Sequence, residues 1–234
     1  MSSSEWLQRQ KGVTDKEHAG LKAGDGLPGA LLKVCQRVAW KFRRKRLERF
    51  EQIFPEDVYR ELLDVGGTPS FWKGSVRKIT VVNPLIPPGV LGNMTSVLGD
   101  GRSLPYPDKS FALVFSNSAI EHMSKNDMKK FASELIRVGR AVYCQTPNRW
   151  FPYDTHYIAF FWHWWPRLLH NYFIARHLTG WGWVFKPDRK HVEDWANEVN
   201  LLGKKELRSL FPDCRIEEEK VLGMTKSFVV IKSA

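Results

Sequence analysis

Apolar positions along the chain follow two periods. From about Gly29 to Phe54, residues Leu31, Cys35, Val38 and Phe42, then Leu47, Phe50 and Phe54, recur at roughly helical spacing. This spacing predicts one long amphipathic helix, ended by Pro55. Short apolar runs follow at Leu62–Val65, Lys78–Val82, Val97–Gly99, Leu113–Ser116 and Ala141–Gln145, and each predicts a strand. A helical pattern over Lys125–Val138 precedes the last of them. Strands alternating with crossovers imply a parallel sheet with helices on its faces. The alternation breaks between Trp150 and Phe185, which are rich in Trp, Phe, Tyr and His and poor in charge. It resumes with helices near Asp188–Val199 and Lys204–Leu210, then two final strands, Arg215–Leu222 and Ser227–Ile231, joined by a turn.

The organisation expected is a polar arm over 1–28, a basic amphipathic helix over 29–55 and an α/β domain over 56–234. That domain is interrupted by an aromatic cap at about 149–187. A chain of 234 residues suits one such domain with elaborations.

Charge narrows the partners. The net charge is +11, and Arg43, Arg44, Lys45, Arg46 and Arg49 crowd the polar side of the first helix. An anionic partner fits this excess. The chain has no zinc-finger spacing, RNA-binding signature or glycine–arginine repeat, so nucleic acid ranks below an anionic membrane surface. The helix reads either as a solvated helix packed on the core or as one lying on a membrane. Cys35, Cys144 and Cys214 are far apart and odd in number, giving no metal-ligand spacing and no disulfide framework. Together with a start that lacks a signal pattern, they point to the cytoplasm. No run of about eighteen uncharged apolar residues predicts a spanning helix.

The candidate chemistry lies at strand ends. Asp64-Val65-Gly66-Gly67-Thr68 carries a strand into a sharp turn where backbone can approach a ligand. The second strand ends at Asn83, where a nucleoside site places a ribose-hydroxyl ligand. Asp100-Gly101-Arg102 ends the third strand, and an Asp there can accept from an exocyclic amine. Ser116 and Asn117 stand just past a fourth strand end, followed by Glu121 and His122. In open α/β sheets ligands bind outside the carboxyl ends of the strands, so all four elements converge on one crevice.

The run GDGRSLPYPDKSFALVFSNSAIEHM resembles the core of the class I S-adenosylmethionine-dependent methyltransferases, particularly their type 11, small-molecule branch. The resemblance covers about Leu62 to Asn148. It implies a Rossmann-like seven-stranded sheet with helices on both faces and a reversed final hairpin. S-adenosyl-L-methionine is the cofactor it implies. Asp64 and Gly66, with Gly67, would lie beside the methionine moiety, Asn83 at the ribose, and Asp100, Gly101 and Arg102 at the adenine. Ser116 and Asn117 would line the methyl-donor pocket. The chain departs from the family pattern twice. Thr68 and Ser70 replace the second and third glycines of the turn, and Asn83 replaces an acid.

Methyl transfer from a sulfonium is an in-line displacement that needs alignment and exclusion of water. A base is needed only for a protonated acceptor. His122 is the first candidate, although a histidine there can also serve a helix start. His156, with Asp154 to orient it, is the second, although such a pair can also be a turn. Glu121 reads as a charge at a helix N-terminus. The cap aromatics of 150–185 can pack on the core, line a pocket for a large apolar acceptor, or form an interfacial patch. With the basic helix 29–54 they suggest a small-molecule or lipid-linked acceptor, an anionic membrane surface or a protein partner. The rival expectation is a methyltransferase fold that now serves as a binding or structural subunit.

Overall fold

A computed structural model describes residues 44–72, 74–154, 159–166, 172–186, 188–190, 192 and 199–234. The arm at 1–28, most of the basic helix 29–55, His156 and most of the helix expected near Asp188–Val199 lie outside the described residues.

Eight strands form one sheet: β1 (Glu61–Val65), β2 (Lys78–Asn83), β3 (Gly89–Leu91), β4 (Met94–Leu98), β5 (Phe111–Asn117), β6 (Gly139–Pro147), β9 (Arg215–Val221) and β10 (Met224–Lys232). A separate hairpin pairs β7 (Tyr153–Asp154) with β8 (Ala159–Phe160). The order in the main sheet is β3-β4-β2-β1-β5-β6-β10-β9. The strands from β4 to β6 run parallel, and β10 enters antiparallel between β6 and β9.

The count therefore corrects the seven strands expected. The extra one, β3, pairs antiparallel with β4, and all three of its residues are exposed. Three residues between Pro88 and the turn at Gly92 give no alternation to read. In the same region β4 starts at Met94 rather than at Val97, because Thr95 and Ser96 hide the strand's beginning from a hydrophobic pattern.

Alternate residues of each strand feed opposite cores. One face buries Leu63, Val65, Val114, Val142 and Val230 against α2 (Lys125–Val138) and α3 (Lys204–Leu210). The helix α2 begins where Ser124 accepts a hydrogen bond from Asp127 N, and its buried stripe is Met128, Phe131, Ala132, Leu135 and Val138.

The other face has an unusual cover. Only residues 66–77 connect β1 to β2, and they hold a four-residue 3-10 turn, Pro69–Trp72, in place of a crossover helix. The described helix before β1, α1 (44–53), fills the gap by laying Leu47, Phe50 and Phe54 over Leu62, Val81, Phe115 and Tyr143, with Trp72 among them. Arg77 fixes that helix's end. Its fully buried guanidinium donates to Phe54 O and Tyr59 O, pairs with Glu51 and lies 5.3 Å from the centroid of the Phe50 ring.

Candidate functional site

Two side chains lock the turn after β1. Gly66 has φ +87°, and a Cβ there would lie 2.6 Å from Ala119 Cβ, so only glycine fits. Asp64 is buried, accepts from Trp72 Nε1 at 2.7 Å and also takes the Gly67 backbone N–H. Burial pushes its carboxyl up to about 7, against the pull of those two donors. Gly67 is equally constrained, since a Cβ would come within 1.8 Å of Asp64 Oδ2. From the neighbouring strand end, Asn83 Nδ2 donates to Gly67 O at 2.9 Å and Gly66 O at 3.3 Å, while its Oδ1 accepts from Leu85 N at 2.8 Å. Thr68 and Ser70 hydrogen-bond to each other at 2.9 Å. Together with Pro69, Asn83, Leu85, Ile86 and Pro87 they line a cavity of about 480 Å³ outside the ends of β1 and β2. That volume suits a drug-sized ligand.

The loop after β4 is braced from below. Arg137 of α2 donates to Leu104 O and Tyr106 O and pairs with Asp108, and Glu134 accepts from Leu104 N. Asp100 is paired bidentately with Arg102, and this bonding holds its carboxyl below the usual range. Arg102 also pairs with Asp127 at 3.1 Å. Both side chains are close to half exposed, and Gly101 is buried behind them.

The end of β5 carries a network that the sequence did not reveal. Arg46, on α1, donates bidentately to Glu219 at 2.8 Å and through Nη1 to Asn117 Oδ1 at 2.8 Å. Burial alone would raise the Glu219 carboxyl, but the charge and hydrogen bonds of Arg46 bring it below the usual range. Arg46 is one of five cations between 43 and 49, so nothing in the sequence distinguishes it. Ser116 is fully buried and donates to Val65 O at 2.9 Å. Glu121 is buried as well and accepts from Thr146 Oγ1 at 3.1 Å. His122 is exposed on the 3-10 turn Ile120–His122, one step past the same strand end.

The cap follows β6 at the same end of the sheet, and Trp164 Nε1 donates to Arg149 O at 2.9 Å. His156 lies outside the described residues; the Oδ2 of Asp154 lies 3.4 Å from His163 Nδ1, and both side chains are nearly buried. His163 is thus a titratable group that sequence reasoning passed over, because it sits inside an aromatic run. No cluster of His, Cys, Asp or Glu among the described residues could hold a metal.

Residues 77–141, well under half of the chain, match the family model described as a methyltransferase domain. No curated protein matches in sequence. Among solved structures, the chain is similar to a SAM-dependent methyltransferase of Methanosarcina mazei, with 16% identity, 78% of this chain and 94% of that one covered, and a TM-score of 0.46. It is similar also to the PH0226 protein of Pyrococcus horikoshii, with 17% identity, coverage of 82% and 89%, and a TM-score of 0.49. A third is phosphoethanolamine N-methyltransferase 2 of Haemonchus contortus in complex with S-adenosyl-L-methionine, with 13% identity, coverage of 74% and 38%, and a TM-score of 0.46. The matched segment runs from β2 through β5 to the start of β6, and so takes in the loops after β2, β4 and β5 but not the turn after β1. Over residues 77–141, therefore, the chain is similar to a methyltransferase domain.

Proposed function

We propose that the chain methylates an oxygen, nitrogen or carbon of a small or lipid-linked molecule, with the donor bound across the ends of β1, β2, β4 and β5. The observation that carries this reading is the turn at Gly66 and Gly67, closed to any Cβ, which leads directly into the cavity lined by Thr68, Pro69, Ser70 and Asn83. Bound there, S-adenosylmethionine supplies a methyl group already activated on a sulfonium. The chain's residues then align and shield. The backbone of Gly66 and Gly67 gives close approach to the methionine end. The Thr68 and Ser70 hydroxyls offer polar contacts in the cavity, and Asp100, oriented by Arg102, offers an acceptor to the adenine amine. Asn117, held by Arg46, stands beside the donor pocket. His122 serves as the base where the acceptor carries a proton.

The surface of the cap favours an apolar acceptor. Phe160, Phe161, Trp164, Phe173 and Trp183 all have large exposed areas, with Arg176, Lys186, Arg189 and Lys190 in the same stretch of chain. Trp and basic side chains together suit the headgroup level of an anionic membrane. No described helix is long and apolar enough to cross one. This reading places the protein in the cytoplasm, peripheral on the inner face of a membrane.

Titration calorimetry with S-adenosylhomocysteine tests the donor site, and micromolar binding is expected. The Asp100→Ala variant should bind clearly more weakly, and unchanged affinity would remove Asp100 from the site. Folded protein that binds neither S-adenosylmethionine nor its demethylated product would make the chain a binding or structural subunit on a methyltransferase fold.

A further inference from the structure

The geometry points to Asn83 as the residue that holds the glycine turn together, through donation by its amide, in place of the two glycines the turn lacks. The inference rests on the donor site proposed above, but its sign is opposite to that of a ribose-binding role at this position.

Every polar group of the Asn83 side chain already has a partner. The Nδ2 group faces two carbonyl oxygens, those of Gly66 and Gly67, and Oδ1 faces the N–H of Leu85. These neighbours fix the orientation of the amide, because flipping it would set the oxygen against two acceptors and the nitrogen against a donor. The turn is tied to the same strand end on its other side, where Gly66 N donates to Val82 O at 2.8 Å. Gly66 is thus held by the backbone of β2 and by the side chain that ends it.

The turn needs this hold. No crossover helix follows it, only the 3-10 turn Pro69–Trp72, so the turn has no helix N-terminus of ordinary length to anchor it. Asp64 secures the N–H of Gly67 from inside, and Asn83 secures the carbonyls of Gly66 and Gly67 from outside. An acid at position 83 has no proton to donate at neutral pH, and its oxygens would face two carbonyl oxygens. Alanine would lose the donors without adding that repulsion. A clamp therefore ranks Asn above Ala above Asp, whereas a ribose contact ranks Asp at or above Asn and both above Ala.

The test compares the wild type with Asn83→Ala and Asn83→Asp by thermal denaturation without ligand and by calorimetry with S-adenosylhomocysteine. The expected melting order is wild type, then Asn83→Ala, then Asn83→Asp. Binding should weaken in the same order, by roughly tenfold or more for Asn83→Asp. The 2′- and 3′-deoxyribose analogues of S-adenosylhomocysteine provide a readout that stability alone would not move. Their losses should add to that of Asn83→Ala, because the side chain and the ribose hydroxyls act on different partners. Asn83→Asp binding as tightly as the wild type, Asn83→Asp melting at or above Asn83→Ala, or deoxy losses that vanish in Asn83→Ala would each overturn the clamp. Should neither variant fold, the wild type still decides, since its Asn83 side-chain amide protons must exchange slowly before ligand is added, and free exchange overturns the inference. A wild type that fails to bind S-adenosylhomocysteine removes the donor site alone, since the melting order and the amide exchange are read without it.

Discussion

The turn after β1 and the cap after β6 border the same end of the sheet but are built in opposite ways. At the turn, Asp64 faces Trp72 and the Gly67 N–H, and Asn83 faces Gly66, Gly67 and Leu85. At the cap, Phe160 is 66% exposed, Phe161 46% and Trp164 45%. The first region is ordered from within by its own side chains, as the donor site proposed above requires. The second leaves apolar area in water, which costs free energy unless something else covers it. Substitutions in the two regions should therefore separate into those that unfold the protein and those that leave it folded but change what it meets.

The largest effect belongs to Trp72. It is fully buried, packs edge-on against Phe50, Phe71 and Phe115, and donates to Asp64. Trp72→Ala should destabilise by about 3–5 kcal/mol in urea titrations. Trp72→Phe keeps most of the packing, loses only the donor and should cost about 1–3 kcal/mol. A loss below about 1 kcal/mol for Trp72→Ala would mean that the turn is not braced from the core, and the contrast with the cap would fail.

Arg46 tests whether the bracing extends along the crevice to β5. Removing one partner of a buried ion pair strands the other, at about 3–5 kcal/mol. Arg46 and Glu219 keep 14% and 26% of their side chains exposed, so about 2 kcal/mol is expected for Arg46→Met. The double variant with Glu219→Gln should recover part of the loss, because it removes the stranded charge. A double-mutant cycle with no coupling would reduce the network to an incidental surface pair.

How much of this was legible in the sequence follows the same division. The helix Lys125–Val138 and the helix Lys204–Leu210 are found at the bounds their periodicity predicts, and the final hairpin is antiparallel as the resemblance implied. These elements are written in local pattern: a Ser cap, a 3.6-residue stripe and alternation within a strand. The strand β3 escaped because three exposed residues between prolines and a glycine turn carry no period. The partners of the site residues escaped for another reason. Arg46 and Glu219 are 173 residues apart, and Trp72 meets Asp64 only because the β1–β2 connection is too short for a helix. Sequence order shows which residues stand at strand ends, whereas side-chain pairing across the ends depends on packing that no local pattern records.

Asp64 sharpens the contrast through pH. Its carboxyl in the fold titrates near 7, well above the ordinary value of 3.8, because it is buried. A folded pKa above the unfolded one means that the group's stabilising contribution is complete below about pH 4 and is lost as the pH rises through about 7. Relative to Asp64→Asn, the wild type should therefore lose stability between those values, by at most about 1.4 kcal/mol per pH unit. Urea midpoints measured at intervals from pH 5 to pH 8 check this. Parallel profiles for the two proteins would show that the Trp72 and Gly67 donors keep Asp64 ionised throughout.

The smallest effect on stability, and the clearest sign of an outside partner, is expected in the cap. Phe161 occupies the left-handed region at φ 59°, where Asn is better accommodated than Phe, and its ring is half exposed. Phe160 is more exposed still, with a ring centroid 5.1 Å from that of Tyr153. The double variant Phe160→Ser, Phe161→Asn should thus change stability by less than about 0.5 kcal/mol, since the lost ring contacts with Tyr153 and Trp164 and the relieved backbone oppose each other. Its affinity for S-adenosylhomocysteine should be unchanged. If the exposed rings serve an anionic interface, the wild type should co-sediment with phosphatidylserine vesicles at low salt and the double variant should largely remain in the supernatant. Equal pelleting of both would move any interface elsewhere, and no pelleting of the wild type would leave the rings to the acceptor alone. A large loss of stability would show that they cover the core, and the difference between the two regions would disappear.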